Sequence, residues 1–306
     1  MLIFKKNCCW AIAFICIFFN CAVLAQNSID VPNQILISCY NFNFKTADSL
    51  LNNTTVEYKN TTDFELLKST ILWWKIISGE KSTQQKQNYY VCLQNAENKL
   101  EKEKTKDFNY IYKGITLYGF YARMDGLNKN YLKAFFRINK CLRFLQTSFG
   151  NEEKYNYFYL SSGLYNYYMV NAVKHYPVIA PYLYLYPKGN TNKGFIFLET
   201  AANNNNLSLK TEANYFLMKI FLEEKKIKEA NSYAQKLTTY FSSNLLFQYY
   251  YFNTFIQLND IKGAELVLKN IYSYTSKNKE ISNTQKKYFI DLAEADLKEY
   301  FLNKNK

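Results

Sequence analysis

A chain of 306 residues with 48% hydrophobic content can bury a substantial core, which excludes disorder of the whole. Its 9 glycines and 4 prolines are too few to turn the many connections of a β-sandwich or barrel, so long helices joined by short polar loops are expected. The formal charge of +13 favours anionic partners, yet it equally fits the codon bias behind a composition rich in Lys, Asn, Ile, Tyr and Phe.

The first residues read as an export signal. Lys5 and Lys6 supply a basic start and Trp10 to Phe19 an apolar run, and Val23-Leu24-Ala25 places cleavage after Ala25. A retained N-terminal anchor is the runner-up. Lipidation at Cys21 is a third reading, opposed by the bulky Phe18-Phe19-Asn20 before it. Loss of Lys5 and Lys6, with no acid before residue 26, lowers the charge from +13 to +11. An exported basic chain is expected to meet lipid headgroups, acidic glycans or an acidic protein, and no nucleic acid. Cys39, Cys92 and Cys141 remain after cleavage, too widely spaced for a metal site or a disulfide framework. They are expected as small buried residues, with at most one bridge.

From residue 26 onward a single helical domain is expected. Phe44, Ala47, Leu50 and Leu51 form one helical stripe, and Leu67, Ile71, Trp74 and Ile77 form another. Further on, Tyr121 and Ala122 lie on a helix that should turn at Asp125-Gly126-Leu127-Asn128, and Ala134, Ile138 and Cys141 lie on its partner. A helix around Gly163 pairs with one through Gly194, Leu198 and Ala201 across an insertion at about residues 175–190.

The strongest signal lies at about residues 211–244 and 245–278. Ile227-Lys228-Glu229-Ala230 recurs as Ile261-Lys262-Gly263-Ala264 after 34 residues, with Leu217 and Phe221 falling on Tyr251 and Phe255. That period is the one of the tetratricopeptide unit, a helical hairpin in which a small residue lets two helices cross closely. The expected fold is therefore an all-α, tetratricopeptide-like helical-hairpin solenoid. Tyr288, Phe289, Leu292, Ala295 and Leu297 mark a terminal helix that stops the stacking.

Residues 41–80, with Phe44, Ala47, Asp48, Leu50 and Trp73-Trp74, resemble exported bacterial tetratricopeptide-repeat proteins of unassigned function, as do residues 157–271 with Gly163-Leu164-Tyr165-Asn166-Tyr167-Tyr168 and Pro187-Lys188-Gly189-Asn190. The middle of the chain also distantly resembles the eukaryotic tetratricopeptide proteins linked to mitochondrial outer-membrane and inclusion-clearance work. The resemblance implies a fold more than a role. The chain departs from the repeat pattern where Ser242 and Ser276 stand in place of a closing proline.

The insertion holds Pro177, Pro181 and Pro187, which no straight helix accommodates. Its aromatic residues either plug the neighbouring helices or project as a binding patch. The candidate partner-binding residues are His175, Tyr176, Tyr182, Tyr184, Tyr186 and Lys188, with Lys174 as a further cation. His175 is the only histidine, and no phosphate loop, His-Glu-x-x-His or Gly-x-Ser-x-Gly motif accompanies it. No enzyme, cofactor or metal is therefore expected. Glu223-Glu224-Lys225-Lys226 reads as a solvated turn. The expected function is a cell-envelope scaffold that holds a peptide or protein on its concave helical surface. The alternative is a membrane- or glycan-associated module that uses the insertion.

Overall fold

The computed structural model describes residues 31–175, 184 and 186–304, and the predicted leader at residues 1–25 lies outside them. Among the described residues the chain is all-α, with fourteen helices and no strand. Helices α1 (Val31–Tyr40), α2 (Phe44–Asn52) and the short α3 (Val56–Lys59) come first. Five hairpins follow: α4 (Thr62–Ile77) with α5 (Thr83–Lys102), α6 (Phe108–Leu127) with α7 (Tyr131–Ser148), and α8 (Tyr157–His175) with α9 (Thr191–Ala202). The last two are α10 (Leu207–Glu223) with α11 (Ile227–Tyr240) and α12 (Leu245–Gln257) with α13 (Ile261–Lys277), before a final α14 (Asn283–Lys304). Each hairpin packs on the next in chain order.

Local chemistry sets the helix ends. Thr61, Ser82, Asp107, Asn190, Asn206, Asn244 and Asp260 each accept an amide proton from the first turn that follows them. Four turns end on a non-glycine residue in the left-handed region, namely Phe42, Lys129, Lys225 and Asn259 at φ near 60°. In each, the next amide reaches back five residues along the turn, as in Asn130 to Asp125 O, Lys226 to Phe221 O and Asp260 to Phe255 O. Lys225 and Asn259 are 34 residues apart, so the turn recurs with the sequence period.

Small residues stand where helices cross. Ala230, Ala234 and Leu237 of α11, and Ala264 and Ile271 of α13, are fully buried, as are Ala134 of α7 and Leu198 and Ala201 of α9. At the α8–α9 crossing, a methyl group added to Gly194 would lie 2.8 Å from the amide nitrogen of Tyr167 and 3.0 Å from Gly163 O. Backbone thus touches backbone there.

Helix α1 has no counterpart among the predicted elements and joins distant parts of the chain. Tyr40, at its end, is fully buried between Trp74 and Phe241, with ring centroids 5.5 and 5.0 Å away. Its hydroxyl donates to Glu212 Oε1 of α10 at 2.9 Å, and its carbonyl accepts from Asn244 at 2.7 Å. Phe42 meets Phe289 of α14, Thr46 bonds Glu280, and Gln285 donates to Ser78 at 2.6 Å. The first helices therefore close against the last ones, instead of each unit meeting only its neighbours.

Two further contacts tie the early hairpins together. Lys113 of α6, itself buried, pairs with Asp63 at 3.1 Å and Glu103 at 3.0 Å. Arg123 lies over the rings of Phe120 and Trp73 and donates to Tyr89 Oη at 2.8 Å.

Three expectations need correction. The turn expected at residues 125–128 falls at 128–130, because Asp125 and Gly126 are buried inside α6 and Asp125 accepts from Tyr90. Ala295 is exposed, and the buried line of α14 is Gln285, Phe289 and Ala293, of which Gln285 meets Ser78 and Phe289 meets Phe42. Glu224 is only half exposed: it accepts from Tyr167 at 2.9 Å and pairs with Lys226 at 2.7 Å, so that turn is held as well as solvated.

Candidate functional site

The insertion interrupts the α8–α9 hairpin, as its prolines require. His175 is the last residue of α8, while Tyr176 and Tyr182 lie outside the described residues. Residues 186–190 run closely along α8: Tyr165 donates to Pro187 O at 2.6 Å, and the Asn190 amide donates to Asn166. Gly189 is required there, since a Cβ would come within 2.6 Å of Asn166 O. Tyr186 is half-buried and donates to Asn139 of α7 at 2.9 Å. Tyr184, in contrast, is 81% exposed, and Lys188 is exposed beside it in the chain. The two described tyrosines thus part company, one anchoring the segment and one in solvent.

The anchor identifies a face that sequence reasoning missed. On α7, residues 132, 136, 139 and 143 recur at helical spacing and make one outward stripe. Leu132 is 70% exposed and Phe136 60% exposed, and Arg143 is exposed. Lys129, Lys133 and Lys140 flank them. The helix carries Lys133, Arg137, Lys140 and Arg143 and no carboxylate. Glu97 of α5 pairs with Lys140 at 3.1 Å and with Arg137 at 3.7 Å. Burial works against the charge on Glu97, but Lys140, Tyr118 and Arg137 outweigh it and hold the carboxyl below its usual range. Lys133 and Arg143 have no ion pair among the described residues.

A second feature lies on the other side of the α8–α9 hairpin. A cleft of about 390 Å³ opens between α1 and the loop before α10, lined by Gln34, Ile37, Tyr40, Asn205, Asn206 and Ser208 among others. A shallower depression of about 600 Å³ continues from Asn205 along Asn203 and along Ile196, Glu199 and Thr200 of α9. Some amides here are committed to structure: Asn206 caps α10 and donates to Tyr157, and Asn203 bonds Glu199 O. The side-chain amides of Gln34 and Asn205 make no hydrogen bond to any described residue and face solvent. Free amides beside Ile37 and Ile196 can each donate and accept, which matches the needs of an extended peptide backbone.

The titratable groups elsewhere are accounted for by packing. Burial pushes the thiols of Cys92 and Cys141 up to about 11 and about 12, and raises Cys39 further, with Asp48 adding to it. All three are free and buried, so the single bridge that the sequence allowed is not formed. No group of three or more His, Cys, Asp or Glu side chains comes together among the described residues as a metal site. No helix among them is long and apolar enough to cross a membrane.

Compared with known proteins, the chain matches no family model, no curated protein and no solved structure.

Proposed function

We propose that this chain is a non-catalytic binding protein of the cell envelope, a tetratricopeptide-like array that holds an extended peptide segment of a protein partner in the cleft between α1 and α10. The repeat reading is supported by the 34-residue recurrence of Ala230 and Ala264, and by the left-handed turns at Lys225 and Asn259 at the same interval. The cell-envelope reading rests on Lys5, Lys6, the apolar run to Phe19 and Ala25.

The observation that carries the binding role is the pair of uncommitted amides, Gln34 and Asn205, in a cleft with apolar residues along its walls. Amides at intervals satisfy successive backbone groups of a bound strand, and the apolar wall takes alternate side chains. The α1–α10 junction suits such a groove better than the join of the first and last helices, which Phe42 and Phe289 fill.

Selection of a displayed random-peptide library on the full chain tests the reading. Enriched peptides are expected to lose roughly tenfold in affinity on Gln34→Ala or Asn205→Ala, each substitution removing about one hydrogen bond. No enrichment, or binding indifferent to both changes, would remove the proposal. Amino-terminal sequencing of the protein recovered from an envelope fraction is expected to begin at Gln26.

A further inference from the structure

We propose that the outward face of α7, together with exposed Tyr184 and Lys188, docks on the surface of an anionic lipid bilayer. The inference is separate from the peptide cleft and uses different residues.

Three observations lead to it. Leu132 and Phe136 are large apolar side chains one helical turn apart, and 70% and 60% of their surface meets solvent. Side chains of this size exposed side by side cost hydration that an isolated apolar residue does not, and they mark an interaction surface. The charge on the helix is of one sign: Lys129, Lys133 and Lys140 flank the stripe, Arg143 ends it, and α7 contributes no acid. Glu97, the carboxylate that pairs with α7 among the described residues, meets Arg137 and Lys140; Lys133 feels the charge of Asp125 without pairing with it, and Arg143 has no ion pair among the described residues. Finally, Tyr186 fastens the interrupted hairpin to Asn139 in the middle of the stripe, which brings exposed Tyr184 and Lys188 to the same region of the molecule.

The combination selects the partner. The centre of a protein interface is depleted in lysine, because each ammonium must be desolvated against a matching acid. A bilayer surface imposes no such match. It offers a continuous layer of phosphates to Lys and Arg, while Leu, Phe and Tyr enter the boundary between headgroups and acyl chains. The 18 residues of α7 form a rod about 27 Å long that can lie flat on such a surface. Because no described helix crosses a bilayer, the contact is interfacial.

The test uses the full chain carrying Phe136→Trp, mixed with vesicles of phosphatidylcholine alone or with one-third phosphatidylglycerol. Trp73 and Trp74 are buried, and Trp10 in the predicted leader is replaced by Phe in the same chain, so a change in emission on mixing reads the surroundings of position 136. An apolar leader would partition into both vesicle types, so the readout is the local emission and not sedimentation alone. The expected result is a blue shift with the anionic vesicles only, and a loss of affinity of roughly fivefold for each of Lys133→Gln and Arg143→Gln. Leu132→Ser should weaken the shift, while Asn205→Ala in the peptide cleft should leave it unchanged. No shift with anionic vesicles, an equal shift with neutral ones, or insensitivity to both charge substitutions would overturn the proposal. So would a stoichiometric protein, or a second copy of this chain, that protects position 136 in the absence of lipid.

Discussion

Tyr40 donates its phenolic proton to Glu212 across 2.9 Å, joining two residues that are 172 positions apart in the chain. The same hydroxyl lies 3.2 Å from Ser208 Oγ. Burial, then the nearby Glu212, raises the Tyr40 phenol well above its ordinary range, so it remains a donor at every physiological pH. Tyr40→Phe keeps the ring between Trp74 and Phe241 and deletes only the donor. It is expected to cost about 1–3 kcal/mol in urea unfolding with an unchanged slope. A neutral result would show that the polar contact contributes nothing to closure.

Gly194 and Ala230 probe the crossings. Replacing a helical glycine with alanine normally stabilises a helix by about 1 kcal/mol. Here Gly194→Ala should instead destabilise by about 1–3 kcal/mol, because the new methyl would meet the backbone of Tyr167 and Gly163. Ala230→Leu, at a fully buried crossing, should lower stability by a similar amount. Thermal melts followed by helical signal decide both.

Lys225 is exposed and holds φ 58°, where a side chain is strained by about 1–2 kcal/mol. Lys225→Gly should therefore raise stability by about 0.5–1 kcal/mol once the extra chain entropy of glycine is deducted. Asn259→Gly should gain less, since asparagine tolerates this region. Chemical denaturation of the two variants side by side would show the order.

Lys113 is the buried cation between Asp63 and Glu103. Burial lowers its pKa, but Asp63 and Glu103 outweigh this and raise it; the stability it contributes is therefore present below its unfolded pKa and lost as pH rises through the folded one. Asp63 is raised too, because its own burial exceeds the pull of Lys113. From Asp63 alone, stability rises as pH falls from neutrality through its folded pKa, since the folded chain then takes up the proton before the unfolded one. Lys113→Met leaves both carboxylates without their cation and should cost about 3–5 kcal/mol at neutral pH. The deficit should shrink at mildly acidic pH, as Asp63 protonates on the way down through its raised pKa. Urea titrations at the two pH values measure it.

What the sequence disclosed follows from which forces are local. Ala230, Ala234 and Leu237 declare a helix face because their spacing is set by the helix itself, and all three are buried. Gly163 and Gly194 were legible as a close crossing for the same reason. Helix α1 was not: Ile35, Leu36, Ser38, Cys39 and Tyr40 are buried on several sides at once, so no single stripe marks them. Asp125-Gly126 looked like a turn, yet the left-handed residue is Lys129, a type that carries no turn signal. On α7, Phe135 and Phe136 are adjacent and identical in type; only tertiary packing leaves Phe136 exposed while Phe135 is half covered. The amides of the cleft were hidden by the general abundance of asparagine, which composition alone explains equally well.

The bond from Gln285 to Ser78 and the tilted ring contact of Phe289 with Phe42 give the molecule a fixed perimeter. An open array can lengthen or shorten by one hairpin at either end and still cover its core. Here one added or missing pair of helices would draw those partners apart and uncover the rings around Tyr40. The number of turns is thus dictated by the join between beginning and end, and the structure should melt as one cooperative body, without peeling from a terminus.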